Sequence, residues 1–79
     1  MAEIAQQQTE DRLSFAEISR GQGSARYMRE QLNTYIANAN AAGIDIIGIN
    51  NLSNKMTEEE VAKLTVNELR QIFADLAEV

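Results

Sequence analysis

Two clusters in this chain have residue types and spacing that could do chemistry. One is the carboxylate run Glu58, Glu59 and Glu60, and the other is the basic, glycine-containing stretch Arg20, Gly21, Gly23, Ser24, Arg26 and Arg29. Three adjacent carboxylates could offer metal ligands or an acid–base pair. They also follow Thr57, and acidic residues in a first helical turn are what the positive end of the helix dipole favours. The dipole reading stands ahead of the chemical one. Glu59 and Lys63 are further spaced for an i to i+4 pair in the favourable order, which commits one of the three to a solvated face.

In the basic stretch, glycines ahead of a helix start expose backbone amides, and Arg20, Arg26 and Arg29 could clamp a phosphate or a partner's carboxylates. The phosphate-loop spacing and its lysine are absent, so a connection with solvated arginines is the plainer reading and a weak anion contact the sharper one. Tyr27 and Tyr35, eight apart on one helix, could stack on bases, but core or rim packing is the usual fate of such rings. An activated nucleophile would need a base that this chain lacks. It has no His and no Cys, and Ser53 with Lys55 does not have Ser-x-x-Lys spacing. The expectation is therefore no enzyme activity, no cofactor and no metal site.

These residues are carried on elements that the pattern defines unevenly. Residues 1–11 are rich in amides and contain only Ile4 as a large apolar group. They are expected to form a flexible N-terminal segment, with residues 12–79 as a single small domain. In residues 11–19, DRLSFAEIS, Ser14 and Glu17 have the spacing of a capping box, while Leu13 and Phe15 alternate as in a strand. A short helix is the preferred reading. From Ser24, the run SARYMREQLNTYIANANAAG places Met28, Leu32, Tyr35, Ile36 and Ala39 on one helical face, with Gly43 as a left-handed stop. Its later part, ANANAA, puts small side chains where another backbone could approach closely.

Downstream, MTEEEV and LTVNEL each pair a threonine with a glutamate three residues on, at Thr57/Glu60 and Thr65/Glu68. Each also flanks that pair with apolar residues that could staple the first turn, Met56/Val61 and Leu64/Leu69. Two helices meeting at an angle near Leu64 and Thr65 are predicted, the second carrying an apolar stripe of Val66, Leu69, Ile72, Phe73 and Leu76. The phrase LTVNELRQIF resembles the first helix of SAP-like and helix-extended-loop-helix modules, which begin with Leu-Thr-Val and a following Glu-Leu. The resemblance covers these ten residues and implies a helix start there. The chain ends where such a module continues into its extended loop and second helix, so no site or partner is carried over.

Between the helical parts lies GIDIIGIN, residues 43–50, with four isoleucines in eight positions. Isoleucines flanked by Gly43, Gly48 and Asn50-Asn51 have strand composition bounded by turn composition. Such a segment needs a partner: residues 12–18 as a second short strand, the core itself, or another molecule. Because Ile46 and Ile47 are adjacent, an extended backbone points them to opposite sides, and burying both requires two covers.

The fold class expected is mainly α, a domain of three to four helices with an extended isoleucine-rich segment at 44–49 and, as an alternative, one short strand pair. A chain of 79 residues buries only about 60 to 65% of its unfolded surface, and zero cysteines exclude disulfide support. Self-association or a protein partner is the compensation this suggests. The contact residues expected are Ile44, Ile46, Ile47, Ile49, Ile72 and Phe73, with Arg20, Arg26 and Arg29 as the anion alternative. With 12 acidic against 7 basic residues the chain lacks the cationic footprint of a general nucleic-acid binder. An acidic inhibitor occupying an enzyme's nucleic-acid groove is the second functional reading. The opening MAEIAQQQTEDR lacks the basic and then apolar order of a signal peptide, and no apolar run approaches the roughly 20 residues of a membrane span. A cytoplasmic assembly subunit is the expectation. Small acidic chains of this kind are common among phage and bacterial accessory factors, by association of type alone.

Overall fold

A computed structural model describes residues 13–78 of the chain. Four helices follow in order: α1 (Phe15–Ser19), α2 (Ala25–Ala42), α3 (Glu58–Ala62) and α4 (Val66–Glu78). The mainly helical class is as expected. The expectation of a flexible segment at 1–11 lies outside the described residues.

Each helix begins where a side-chain oxygen is available to a free amide. Ser14 caps α1: its Oγ accepts from the Glu17 N–H at 3.1 Å, and the Ser14 N–H donates to Glu17 Oε1 at 2.9 Å. The reciprocal pair resolves the ambiguity of residues 12–18 toward helix, because it satisfies amides at both ends of the first turn. Ser24 Oγ accepts from the Tyr27 N–H at 3.0 Å and starts α2. Between these two helices the chain turns through Gly21 and Gly23, both at positive φ. At Gly23 a Cβ would lie 3.0 Å from a ring carbon of Tyr27 and 3.2 Å from Leu13 Cδ1, so the turn and the packing beside it both require glycine there.

α2 ends at Gly43, whose φ of 70° lets the Ile44 N–H return to the Ala39 carbonyl at 2.8 Å. Both predicted threonine boxes form. The Thr57 N–H donates to Glu60 Oε1 at 3.0 Å, and the Thr65 N–H to Glu68 Oε1 at 2.8 Å. Each threonine Oγ1 in turn accepts from its glutamate's N–H, at 3.2 Å and 3.1 Å. The helix is interrupted between them, at residues 63–65. Breaking the helix there leaves the Leu64 carbonyl without a helical donor, and Arg29 of α2 supplies one, with Nη2 at 2.9 Å.

The four elements close on one core. α1 lies chiefly against α4, and α2 packs on α3 and α4. Ile18, Met28, Leu32, Val61, Leu69, Ile72 and Phe73 are its fully buried side chains. Phe15 joins two helices at the edge of this core, its ring 5.5 Å from Phe73 and edge-on to Tyr35 at 6.1 Å. The α2 stripe buries Tyr27, Met28, Leu32, Ile36 and Ala39, with Tyr35 only partly covered.

The strand pair offered as an alternative does not form among the described residues. Residues 15–19 are helical, and 44–49 has no strand neighbour. What replaces the missing strand is one side chain. Asn54 Oδ1 accepts from the Ile46 N–H at 2.7 Å, while its Nδ2 donates to the Ile44 carbonyl at 2.8 Å. The carboxamide thus gives the carbonyl before Asp45 and the amide after it the two bonds that one residue of a parallel neighbouring strand would give. Asn40 of α2 holds this clamp in place. Asn54 Nδ2 also donates to Asn40 Oδ1 at 2.8 Å, and Asn40 Nδ2 donates to the Asn54 carbonyl at 3.0 Å. Further along, the Asn50 N–H donates to Asp75 Oδ2 at 3.2 Å and ties the loop to α4, while Ile49 and Leu52 enter the core.

Candidate functional site

The clamp by Asn40 and Asn54 decides which isoleucines reach the core and which reach the surface. Ile49 is buried and Ile46 is half-buried against the core. Ile44 and Ile47 are 58% and 81% exposed. The adjacent pair Ile46 and Ile47 face opposite ways, one toward the core and one outward, and among the described residues only Ile46 is given cover. Beside Ile44 runs a shallow, mainly apolar groove of about 260 Å³ lined by Tyr35, Asn38, Ala39 and Ala42. The loop therefore presents Ile44 at the edge of an apolar depression.

The other two expected contact residues lie elsewhere. Ile72 and Phe73 have no exposed surface. The α4 stripe is covered by α1 and α2, because the short helix Phe15–Ser19 provides the lid that sequence periodicity alone did not assign to it. As surface contacts they are therefore corrected to core residues. Among the described residues the large apolar side chains left exposed are Ile44 and Ile47.

Arg20, Arg26 and Arg29 do not form a clamp. Arg20 Nε donates to the Ala16 carbonyl of its own helix at 3.3 Å, and Arg26 pairs with Glu30 one turn on at 3.3 Å. Arg29 is the donor to Leu64 at the α3–α4 bend. A fourth arginine, Arg70, has its guanidinium over Gly21. It lines an open groove of about 540 Å³ with Ser19, Asn67, Gln71, Ala74 and Asp75. The glutamate run is likewise used locally. Glu60 closes the Thr57 box, and Glu59 stands 4.0 Å from Lys63. Among the described residues, no three acidic side chains converge as a set that could hold a metal ion.

Glu17 is held below the usual carboxylate range by the Ser14 backbone N–H and then by the Ser14 hydroxyl, with Arg20 adding a smaller favourable charge against a small desolvation penalty. That is the signature of a cap and not of a proton-transfer group.

The residues that sequence reasoning passed over are Asn40 and Asn54. Their roles depend on a contact between positions 14 apart in the chain, and asparagine in a polar stretch carries no local signal for it. Among the described residues no helix is long and apolar enough to cross a membrane. No family model, curated protein or solved structure matches the chain.

Proposed function

We propose that this protein is a non-enzymatic interaction module, an assembly subunit that contacts a protein partner through the Ile44–Ile47 loop and the adjoining groove of α2. The observation that carries the reading is Ile47, 81% exposed on a loop whose backbone is pinned by the Asn54 carboxamide. A single exposed isoleucine is ordinary on a protein surface. Two of them on one pre-ordered loop, Ile44 at the edge of an apolar groove, are less ordinary, and pre-ordering reduces the entropy lost on binding. The contact is apolar and hence tolerant of salt.

Capture from the source cell with wild type and Ile47→Asp, each washed at low and high salt, tests this. A partner retained by wild type at high salt and lost from Ile47→Asp is the expected result. Identical partners on both baits, or partners that elute with salt, would sink the proposal and favour the acidic inhibitor.

A further inference from the structure

Resting on that reading, we infer that the partner meets residues 44–47 as an added strand: an extended segment carrying a basic residue opposite Asp45 and an apolar one opposite Ile47. Backbone bonding is the first argument. The Ile44 carbonyl and the Ile46 N–H both turn to Asn54, which bonds them at 2.8 Å and 2.7 Å. A carbonyl and an amide two residues apart on one side are the pattern of an extended strand, in which the groups of the alternate residues point the other way. The N–H and C=O groups of Asp45 and Ile47 therefore form the opposite edge. Both residues are exposed, and neither makes a hydrogen bond among the described residues. Residues 44–47 thus have one edge closed by Asn54 and one edge open, and an open edge is completed by another extended backbone. Gly43 and Gly48, at φ of 70° and 83°, turn the chain at either end and keep the edge short.

The side chains along that edge are the second argument. Because side chains alternate along a strand, Asp45 and Ile47 share the outward face while Ile46 packs on the core. Cross-strand neighbours on one face favour opposite charge and shared apolarity. Asp45 is the only charged residue between Gln31 and Asn54, so it sets the sign that the edge selects. A second copy of this chain, with a net charge of −5 and the same aspartate on its edge, is the wrong occupant. A segment of another protein with a basic and a β-branched residue two apart is the fitting one.

The probe is the capped peptide acetyl-Val-Thr-Lys-Thr-Val-amide, which places lysine opposite Asp45 and valine opposite Ile47 in either strand direction. It is titrated into the 15N-labelled full chain up to about 5 mM, since about four backbone bonds correspond to a dissociation constant on the order of 1 mM. The Asp45 and Ile47 amide protons should move downfield, while that of Ile46, already bonded to Asn54, stays nearly in place. Loose adhesion of a cationic or apolar peptide does not produce this alternation. Asp45→Lys should weaken binding roughly fivefold, with circular dichroism confirming the fold, and the same peptide N-methylated throughout should not bind. Absence of binding overturns the added strand, as does an Ile46 shift equal to its neighbours' or equal binding of the N-methylated peptide. If wild type still captures a cell partner that Ile47→Asp loses while the peptide test fails, the added strand falls and the broader interaction reading stands.

Discussion

At the scale of single residues, the chain stabilises its elements with side chains that bond backbone, and this makes two effects measurable. Glu17 has a folded-state pKa below its unfolded value, because the carboxylate accepts from the Ser14 N–H. A depressed carboxylate contributes stability above its unfolded pKa and loses it as pH falls through the folded pKa. Acidification should therefore loosen the first turn of α1 only as pH falls below the range in which an unstructured glutamate protonates. An NMR titration of the Glu17 side chain checks this, and a midpoint at or above that of an unstructured glutamate would contradict it. Asn54 is the second case. Asn54→Ala leaves the Ile46 amide and the Ile44 carbonyl without partners and should cost about 1 to 3 kcal/mol if they stay shielded from water, less if water reaches them. Hydrogen exchange at Ile46 should speed up more than exchange in α4. Unchanged protection at Ile46 would show that the clamp does not hold the loop.

At the scale of elements, the two threonine boxes explain why 57–78 is two helices and not one. Thr65 and Glu68 restart the backbone, and Arg29 takes the carbonyl left over at Leu64. Thr65→Ala removes a cap and should cost roughly 0.5 to 2 kcal/mol, a shift of several degrees in Tm for a domain of this size. Thermal denaturation reads the shift directly, and a melting curve that overlays wild type would show that packing alone sets the bend. The brevity of α1 and α3, five residues each, makes the same point in another way. Helices so short are not stable in isolation and exist because their buried residues, Ile18 and Val61, dock on the longer α2 and α4.

At the scale of the whole molecule, the core and the exposed isoleucines should respond oppositely to mutation. Phe73 is fully buried and touches Phe15, so Phe73→Ala should cost about 3 to 5 kcal/mol, most of the stability of a small domain. Ile47→Asp changes a surface side chain and is expected within about 0.5 kcal/mol of wild type, with the helix circular dichroism retained. Equilibrium unfolding in urea distinguishes the two. If Ile47→Asp were to unfold the chain, Ile47 would belong to the core and the proposed contact through it would fall.

The local features of this protein were decided by its sequence alone. Ser14, Ser24, Thr57 and Thr65 each stand one residue before a helix, three residues ahead of the amide they cap, and Gly43 stands where only a left-handed residue ends α2 easily. Those signals act over three or four residues, so a linear reading captures them. The sequence also showed that 44–49 wants a partner on both faces, because that follows from adjacent isoleucines on an extended backbone. Which residues would provide it was decided by tertiary structure. α1 came to cover Ile72 and Phe73, removing them from the surface, and Asn54, eight to ten residues beyond the loop it holds, took the place of a strand. An apolar stripe looks the same in sequence whether a neighbouring helix or another molecule covers it, and an amide side chain bonds whichever backbone the fold brings within reach. Burial and long-range hydrogen bonding are properties of the packed chain, and so the division between core isoleucines and presented ones is settled only there.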